Sequence, residues 1–199
     1  MTAQKRFLNV GGGSKAILVP RHYLGWEHLL LDIDPAGKPD ICADAREMTV
    51  LEPAQVEAVY CSHNLEHYYE HDVPRVLAGF RHVLKPEGFA EIRVPDVMAL
   101  MRTVVERGLD IDDKLYDTEM GPVRPKDVLY GFAPEIRDSG QEFYAHKTGF
   151  SHQSLKAALL AAGFTDVVPL APRPLEIALA AFLAPPAPEV LATLAVAKA

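Results

Sequence analysis

Short apolar runs alternate along the chain with helical or turn segments, a pattern typical of a largely parallel β-sheet. Seven of these runs have the length and composition of strands: residues 7–10, 28–33, 40–43, 58–62, 89–95, 165–170 and 175–183. The last two are separated by Pro172 and Pro174 and lie too close in sequence for a helical crossover. The pattern therefore predicts an α/β fold with a mostly parallel seven-stranded sheet, an antiparallel edge strand and helices on both faces.

Helical periodicity is clearest in two segments between these strands. The first follows Asp72 as N-cap and ends at the turn 85–88, and the second follows Ser151 as N-cap and ends at Gly163. A third helix is expected over residues 96–107, after which the pattern loosens up to residue 150. Long irregular segments inside compact domains are usually lids or binding loops. We therefore expect residues 96–150 to form a lid or insertion on the substrate side.

Length and composition indicate one folded domain. The 199 residues fit a single domain over 1–184, followed by a tail over 185–199 that we expect to be disordered or a loosely docked helix. This apolar tail is also a candidate homodimer contact. The formal net charge of -7, with Lys and Arg scattered singly, argues against duplex nucleic acid as a partner.

The chain shows neither a signal-peptide pattern nor an apolar stretch of the roughly 20 residues that a membrane span requires. We therefore expect a cytoplasmic protein without a membrane span. Cys42 and Cys61 each end a predicted strand and have no second ligand at metal spacing, so we expect reduced core thiols.

A glycine loop directly follows the first predicted strand. Glycine at 11 and 13 lets the backbone turn sharply and approach a ligand closely, because there is no Cβ. Asp32 ends the second strand, roughly 20 residues on, where a carboxylate can accept hydrogen bonds from the hydroxyls of a ribose. Both features fit an adenosine-containing cofactor, either a nicotinamide dinucleotide or S-adenosylmethionine.

The segment after the loop favours the cofactor that lacks phosphate. A pyrophosphate requires the N-terminus of a well-formed helix, but Ala16 replaces the third fingerprint glycine, and Pro20 and Gly25 interrupt the segment. Asp44, after the third strand, offers an acceptor for an adenine amino group. His63 follows the fourth strand at the expected topological switch point, where open α/β sheets bind ligands. S-adenosylmethionine is therefore the cofactor that we expect.

Five segments, in order and spacing, resemble the successive motifs of class I S-adenosylmethionine-dependent methyltransferases, which have a Rossmann-like fold. They cover about the first 95 residues and read LNVGGGSK (8–15), LDIDP (31–35), ADAR (43–46), SHNLEH (62–67) and LKPEG (84–88). The resemblance extends to the small methyltransferase-11-like branch, similar to bacterial polysaccharide-associated methyltransferases. A later segment also resembles that branch through Tyr144, His146, Lys147, Thr148, Gly149 and Phe150.

The resemblance implies methyl transfer to an oxygen or nitrogen of a small molecule or sugar. It implies that the cofactor is bound by Gly11, Gly12, Gly13, Asp32, Ile33, Asp44, Ala45, Ser62 and His63. Asn9 and Lys15 depart from the first motif, since they replace its usual acidic residue and its last glycine. A non-catalytic S-adenosylmethionine-binding or scaffold protein on the same fold is therefore the alternative. An NAD-dependent oxidoreductase is less favoured, because only the glycine loop and Asp32 support it.

Histidines supply the candidate bases. Methyl transfer is an in-line displacement that depends mainly on alignment, so a general base is optional. We select His146, in the substrate-side segment, and His63, near the cofactor, with Tyr144 shaping the pocket. His63, His67 and His71 fall at intervals of four, but a strand end and the Asp72 cap interrupt any helix through them. We therefore expect no metal ligands among them.

Overall fold

The computed structural model describes residues 4–118, 121–194 and 196–197. Nine strands occur in these residues: β1 (Arg6–Val10), β2 (Glu27–Asp32), β3 (Ile41–Cys42), β4 (Val56–Ser62), β5 (Leu84–Pro95), β6 (Tyr116–Thr118), β7 (Gly121–Val123), β8 (Asp166–Pro169) and β9 (Glu176–Phe182). Seven of them form one sheet in the order β3-β2-β1-β4-β5-β9-β8, and β6 pairs with β7. Among these seven strands, β9 alone runs opposite to the other six. The predicted fold class is confirmed, and the antiparallel strand lies one position inside the edge.

The described residues also form six α-helices: α1 (Val73–Val83), α2 (Val97–Arg107), α3 (Pro125–Tyr130), α4 (Ala133–Ser139), α5 (His152–Ala161) and α6 (Pro188–Thr193). The three predicted helices are confirmed as α1, α2 and α5. The Ser151 hydroxyl accepts a hydrogen bond from the Ser154 amide at the start of α5, as expected of an N-cap. Asp72 stands at the N-cap of α1 but makes no capping hydrogen bond. Its carboxylate instead pairs with Arg46 at 3.2 Å.

Apolar side chains cover the sheet on both faces. On one face, α1 and α5 contribute buried residues such as Leu77, Phe80 and Leu159. On the other face, Phe7, Tyr60 and Phe182 belong to a second buried cluster, against which residues of α6 pack. The central strands β4 and β5 are buried along most of their length, as expected for parallel strands covered on both faces.

Between β1 and β2 the chain forms a 3-10 turn, Arg21–Tyr23, in place of a helix. Tyr23 is buried there, stacks on Phe7 at 4.4 Å between ring centroids, and donates a hydrogen bond to Glu91 at 3.1 Å. One aromatic side chain thus occupies part of the face that a helix would cover. The prediction that a full helix does not fit after the glycine loop is confirmed.

The structure bears on three further expectations. The segment 96–150 is more regular than its sequence suggests, since it holds α2, the β6–β7 hairpin, α3 and α4. In the tail, α6 forms, Leu194 is buried, and Leu170 bridges to Val196, whereas Ala195 and residues 198–199 lie outside the described part. Cys61 is a buried free thiol as predicted, but the prediction for Cys42 is wrong, because this thiol is exposed on the two-residue edge strand β3.

Among the described residues, no helix has both the length and the apolar character needed to cross a bilayer.

Candidate active site

A cavity of about 260 Å³ opens at the carboxyl ends of β1, β2 and β4. This is the point where the strand order reverses, because β2 and β4 lie on opposite sides of β1. Six of the predicted site residues line it: Gly11, Gly13, Asp32, Ile33, Asp44 and His63. We call this space the cofactor pocket. Gly12, Ala45, Ser62 and His146 were also predicted for the site but are not among its lining residues.

The glycine loop forms one wall of the cofactor pocket. Gly11 and Gly13 have φ angles of 68° and 65°, in the left-handed region that favours glycine. A Cβ on Gly11 would lie 2.0 Å from Asn64 Nδ2, and a Cβ on Gly12 would lie 2.2 Å from Asn9 Nδ2. Gly12 therefore permits close packing behind the loop, while Gly11 permits both the turn and the approach of Asn64.

Asp32 fixes the shape of the loop. Its carboxylate is only 7% exposed and accepts hydrogen bonds from the Gly13 amide at 2.8 Å and the Asp34 amide at 2.9 Å. Each carboxylate oxygen has more than one lone-pair site, so acceptor capacity remains for a ligand hydroxyl. Asp32 thus joins the end of β2 to the glycine loop and still faces the pocket.

Asp44 forms an ion pair with Arg46, a residue to which the sequence analysis gave no role. The Arg46 guanidinium donates to Asp44 Oδ2 from Nη2 at 2.6 Å and from Nε at 3.0 Å. Burial raises the pKa of Asp44, but the hydrogen bonds from Arg46 outweigh it and hold the pKa below its usual value. Ala45 is buried beside this pair at the start of a 3-10 turn. The carboxylate therefore faces the pocket as part of an ion pair.

His63 lies between two buried carboxylates. Its Nε2 is 3.2 Å from Glu176 Oε2, and its Nδ1 is 3.5 Å from Glu66 Oε1. Desolvation lowers the pKa of His63, but these two carboxylates more than offset it and raise the pKa to about 9. A charged imidazolium has no free lone pair, so this arrangement disfavours the predicted role of His63 as a proton acceptor.

Glu176, one of the two carboxylates beside His63, belongs to a buried chain of charges. Arg93 donates to Glu176 Oε1 at 2.7 Å and to Glu91 Oε1 at 2.8 Å, and His22 contacts Glu91 at 2.8 Å. Paired burial of this kind satisfies groups that would otherwise be costly in a protein interior. The chain of ion pairs runs from His63 through β9 and β5 to the 3-10 turn after the glycine loop.

His146 faces a second cavity of about 1160 Å³, which we call the acceptor cavity. Its Nδ1 is 2.9 Å from the Val128 carbonyl oxygen. A carbonyl can only accept, so Nδ1 carries the proton and Nε2 keeps its lone pair. Burial is the largest effect on the pKa of His146 and lowers it, which favours the neutral ring. His146 is therefore the imidazole with a free nitrogen among the two predicted bases.

The acceptor cavity and the cofactor pocket share one lining residue, His63. Arg107, Arg173 and Glu135 also line the acceptor cavity, so its wall carries charges of both signs. Residues 96–150, predicted to form a lid or insertion and called the lid segment below, contribute Tyr144 to the cofactor pocket, where its hydroxyl donates to Asp34 Oδ2 at 2.9 Å. The two spaces therefore meet at the end of β4.

The sequence analysis did not identify several residues that line the cofactor pocket or contact its lining. Asn64 follows His63 directly and lines the cofactor pocket, as Arg46 does. Both lie within motifs that were recognised, so their position was a usable signal. Glu176 is 113 residues from His63, and no sequence signal joins them.

The comparison with protein families gives one match. Residues 8–92 match a family model described as a methyltransferase domain. This range contains the glycine loop, Asp32, Asp44 and His63. No curated protein matches the chain.

Solved structures show the same fold at low sequence identity. An S-adenosylmethionine-dependent methyltransferase from Archaeoglobus fulgidus aligns with a TM-score of 0.58 and 16% identity over 90% of this chain and 86% of that one. A putative methyltransferase from Haloferax volcanii, in complex with the Trm112 methyltransferase activator, aligns with a TM-score of 0.55 and 13% identity over 94% of this chain and 85% of that one. A Burkholderia thailandensis 1,6-didemethyltoxoflavin-N1-methyltransferase with bound S-adenosylhomocysteine aligns with a TM-score of 0.50 and 14% identity over 89% of this chain and 71% of that one.

These likenesses extend over most of the chain, whereas the family match is confined to residues 8–92, which contribute most of the lining of the cofactor pocket. The polysaccharide-associated branch finds no support in either comparison and stays a prediction. Residues 8–92 therefore resemble a methyltransferase domain, and the chain as a whole shares the fold of solved S-adenosylmethionine-dependent methyltransferases.

Proposed function

We propose that the protein transfers the methyl group of S-adenosylmethionine to an oxygen or nitrogen of a small molecule or sugar. The observation that carries this proposal is the meeting of two cavities at His63. One holds the residues expected for the cofactor, and the other is larger and has charged and polar groups in its wall.

The cofactor pocket suits an adenosine-containing ligand without phosphate. The backbone of Gly11 and Gly13 faces the pocket, and the following segment forms only a 3-10 turn, so no helix N-terminus follows the loop directly to receive a pyrophosphate. We assign the ribose hydroxyls to Asp32, the adenine amino group to Asp44, and the methionine part to the region of His63. In this pose the sulfonium lies near the junction of the two cavities.

The reaction requires little covalent chemistry from the protein. The acceptor atom attacks the methyl carbon in line with the carbon–sulfur bond. A carbon–oxygen or carbon–nitrogen bond forms as the carbon–sulfur bond breaks, and its electron pair returns to sulfur to give a neutral thioether. The proton of the acceptor hydroxyl or amine passes to solvent or to His146 Nε2. Holding both reactants in this geometry supplies most of the acceleration. The charged wall of the acceptor cavity, including Arg173 and Glu135, would orient a polar acceptor.

The first test is calorimetry with S-adenosylhomocysteine, followed by transfer of a labelled methyl group to a panel of sugars, phenols and amines. We expect the protein to bind S-adenosylhomocysteine. Its affinity should fall at least tenfold in Asp32→Asn, because the variant replaces one of the two carboxylate oxygens that hold the loop. Tenfold corresponds to about 1.4 kcal/mol. Asp117→Asn is the matched control, since Asp117 is exposed and pairs only with Lys114 among the described residues.

Failure to bind at millimolar S-adenosylhomocysteine would sink the proposal. Binding of S-adenosylhomocysteine without methyl transfer to any member of the panel would favour the non-catalytic alternative, which is suggested by the departures from the first motif at Asn9 and Lys15. NADH titrated under the same conditions should produce no fluorescence change.

A further inference from the structure

Glu66 is a buried carboxylate that the cofactor pocket does not use. Its side chain is 1% exposed, and within the described residues neither carboxylate oxygen accepts a well-formed hydrogen bond. Its Oε1 lies 3.5 Å from His63 Nδ1 and 4.0 Å from His146 Nε2. A buried carboxylate is costly unless it is paired, hydrogen-bonded or bound to a metal. Glu66 therefore has unused acceptor capacity in the interior.

Two imidazoles beside Glu66 are oriented by backbone carbonyls. His67 Nδ1 lies 3.2 Å from the Ala145 oxygen, and His146 Nδ1 lies 2.9 Å from the Val128 oxygen. Each ring must donate through Nδ1, which leaves the lone pair of Nε2 free. Metal-binding histidines are usually held in this way, with the second ring nitrogen donating to a carbonyl or carboxylate.

One ligand atom from each of Glu66, His67 and His146 lies within 4.8 Å of the other two. The two rings stand edge to face, with centroids 4.8 Å apart. Metal–ligand bonds of about 2.0–2.2 Å place two ligands at most about 4 Å apart, so a small inward rotation of the side chains would complete the site. We propose that Glu66, His67 and His146 bind a divalent transition-metal ion.

The donor set selects the class of metal. Two imidazoles with one carboxylate suit zinc, iron(II) or cobalt(II), whereas magnesium and calcium prefer oxygen ligands. Three protein ligands leave at least one coordination position open. His146 lines the acceptor cavity, and His67 lines the cofactor pocket, so the site lies between the two spaces.

This trio departs from the sequence prediction that His63, His67 and His71 include no metal ligands, since it contains His67. His71 is 79% exposed in its side chain and lies next to the start of α1, away from the cluster. The lid segment brings His146 into its place, where the amides of Lys147 and Thr148 donate to the Glu66 carbonyl at 2.8 and 3.1 Å. The metal site thus joins the turn after β4 to the lid segment, and this joining does not depend on the proposed function. A role for the open position in holding an acceptor oxygen does rest on that function. In the metal-bound protein the lone pair of His146 Nε2 is taken by the metal, so His146 is then a ligand and not the general base.

Cobalt(II) titration tests the site directly, because bound cobalt absorbs in the visible range in a manner set by its ligands. The protein should carry Cys42→Ser, which removes an exposed thiol that could bind the metal elsewhere. We expect a 1:1 titration, with affinity at least tenfold weaker in Glu66→Gln and in His146→Asn. His71→Asn and His152→Asn, which alter exposed imidazoles, are matched controls and should leave the titration unchanged.

Two further measurements keep the test decisive if a variant folds poorly. Zinc added to the unsubstituted protein should raise its melting temperature, and circular dichroism should show which variants retain the fold. Absence of both a cobalt spectrum and a zinc-induced rise at millimolar metal would overturn the proposal, as would equal losses in the control variants. S-adenosylhomocysteine binding measured on the same samples separates this outcome from failure of the proposed function.

Discussion

The cofactor pocket and the acceptor cavity are built in different ways. The pocket takes most of its lining from residues that follow β1, β2, β3 and β4 in sequence order, such as Gly11, Asp32, Asp44 and His63. The acceptor cavity combines α2, the β6–β7 hairpin, α3 and the loop before β9. Parallel strands deliver their carboxyl ends to one edge automatically, so the first site follows from the sheet. The second depends on contacts between distant segments, and each prediction below tests one side of this contrast.

The largest effect is expected at the glycine loop. Gly11→Ala would place a Cβ 2.0 Å from Asn64 Nδ2 at a φ angle of 68°. Gly108→Ala is the matched control, because Gly108 has a φ of 61° but no heavy atom within 4 Å of its added Cβ. Both variants should lose about 1–2 kcal/mol of stability from backbone strain. Gly11→Ala should lose more than Gly108→Ala, because Asn64 must also shift. Only Gly11→Ala should weaken S-adenosylhomocysteine binding in calorimetry, by at least about 100-fold, or roughly 2.7 kcal/mol.

A Gly11→Ala protein whose affinity for S-adenosylhomocysteine stays within a few-fold of that of the unsubstituted chain would contradict this view of the loop.

An intermediate effect is expected on the acceptor side at low pH. Asp127 Oδ2 accepts hydrogen bonds from the Arg124 amide and Nε, both at 2.9 Å, and so fixes the start of α3. Burial raises the pKa of Asp127, but the hydrogen bonds from Arg124 outweigh this effect, so the pKa in the folded protein lies below the usual value. This stabilisation is complete above the unfolded pKa of about 3.9 and is lost as the pH falls through the folded pKa.

Hydrogen exchange, corrected for intrinsic rates, should therefore show α3 opening more readily near pH 3 than near pH 6. In Asp127→Asn the same amides should lose protection at both values, by about 1–2 kcal/mol, without the pH dependence. The amides of β4 provide the internal control. Unchanged α3 protection in the variant at pH 6 would remove Asp127 from this role.

The smallest effect is expected where the lid segment contacts the cofactor pocket. Tyr144→Phe removes the hydrogen bond from the hydroxyl to Asp34 at 2.9 Å. Loss of about 0.5–1.5 kcal/mol predicts a two- to tenfold faster release of S-adenosylhomocysteine in stopped-flow measurements. Tyr130→Phe, at a 63% exposed tyrosine, should not change the rate. Equal release rates in the two variants would show that the hydroxyl does not restrain the lid segment.

The sequence predicted most of the sheet because strand and helix signals are local. β1 and α5 begin within a residue of their expected starts, and Pro20 and Gly25 correctly excluded a helix after the glycine loop. The β6–β7 hairpin has three-residue strands that no periodicity reveals, and β3 is too short to bury Cys42. Local pattern thus predicts elements well where burial is continuous.

The site was predictable where its residues follow strands, and unpredictable where tertiary contacts set their chemistry. His63 was placed correctly at the end of β4, but its protonation depends on Glu176, which is far away in sequence. Asp44 was placed correctly at the pocket, but its pairing with Arg46 was not foreseen. The geometry of a charged cluster is fixed by packing, and a sequence motif contains no information about it.

The reversed direction of β9 has a consequence for how the protein can diverge. Because β9 runs opposite to β5, its first residue, Glu176, pairs with Pro95 and so lies at the same edge as the ends of the parallel strands. A parallel strand in this place would bring its first residue to the opposite edge. The loop that enters β9 includes Arg173, Pro174 and Leu175, which line the acceptor cavity. Insertions in this loop are therefore a route by which acceptor preference can change while the nucleoside-binding edge keeps its structure.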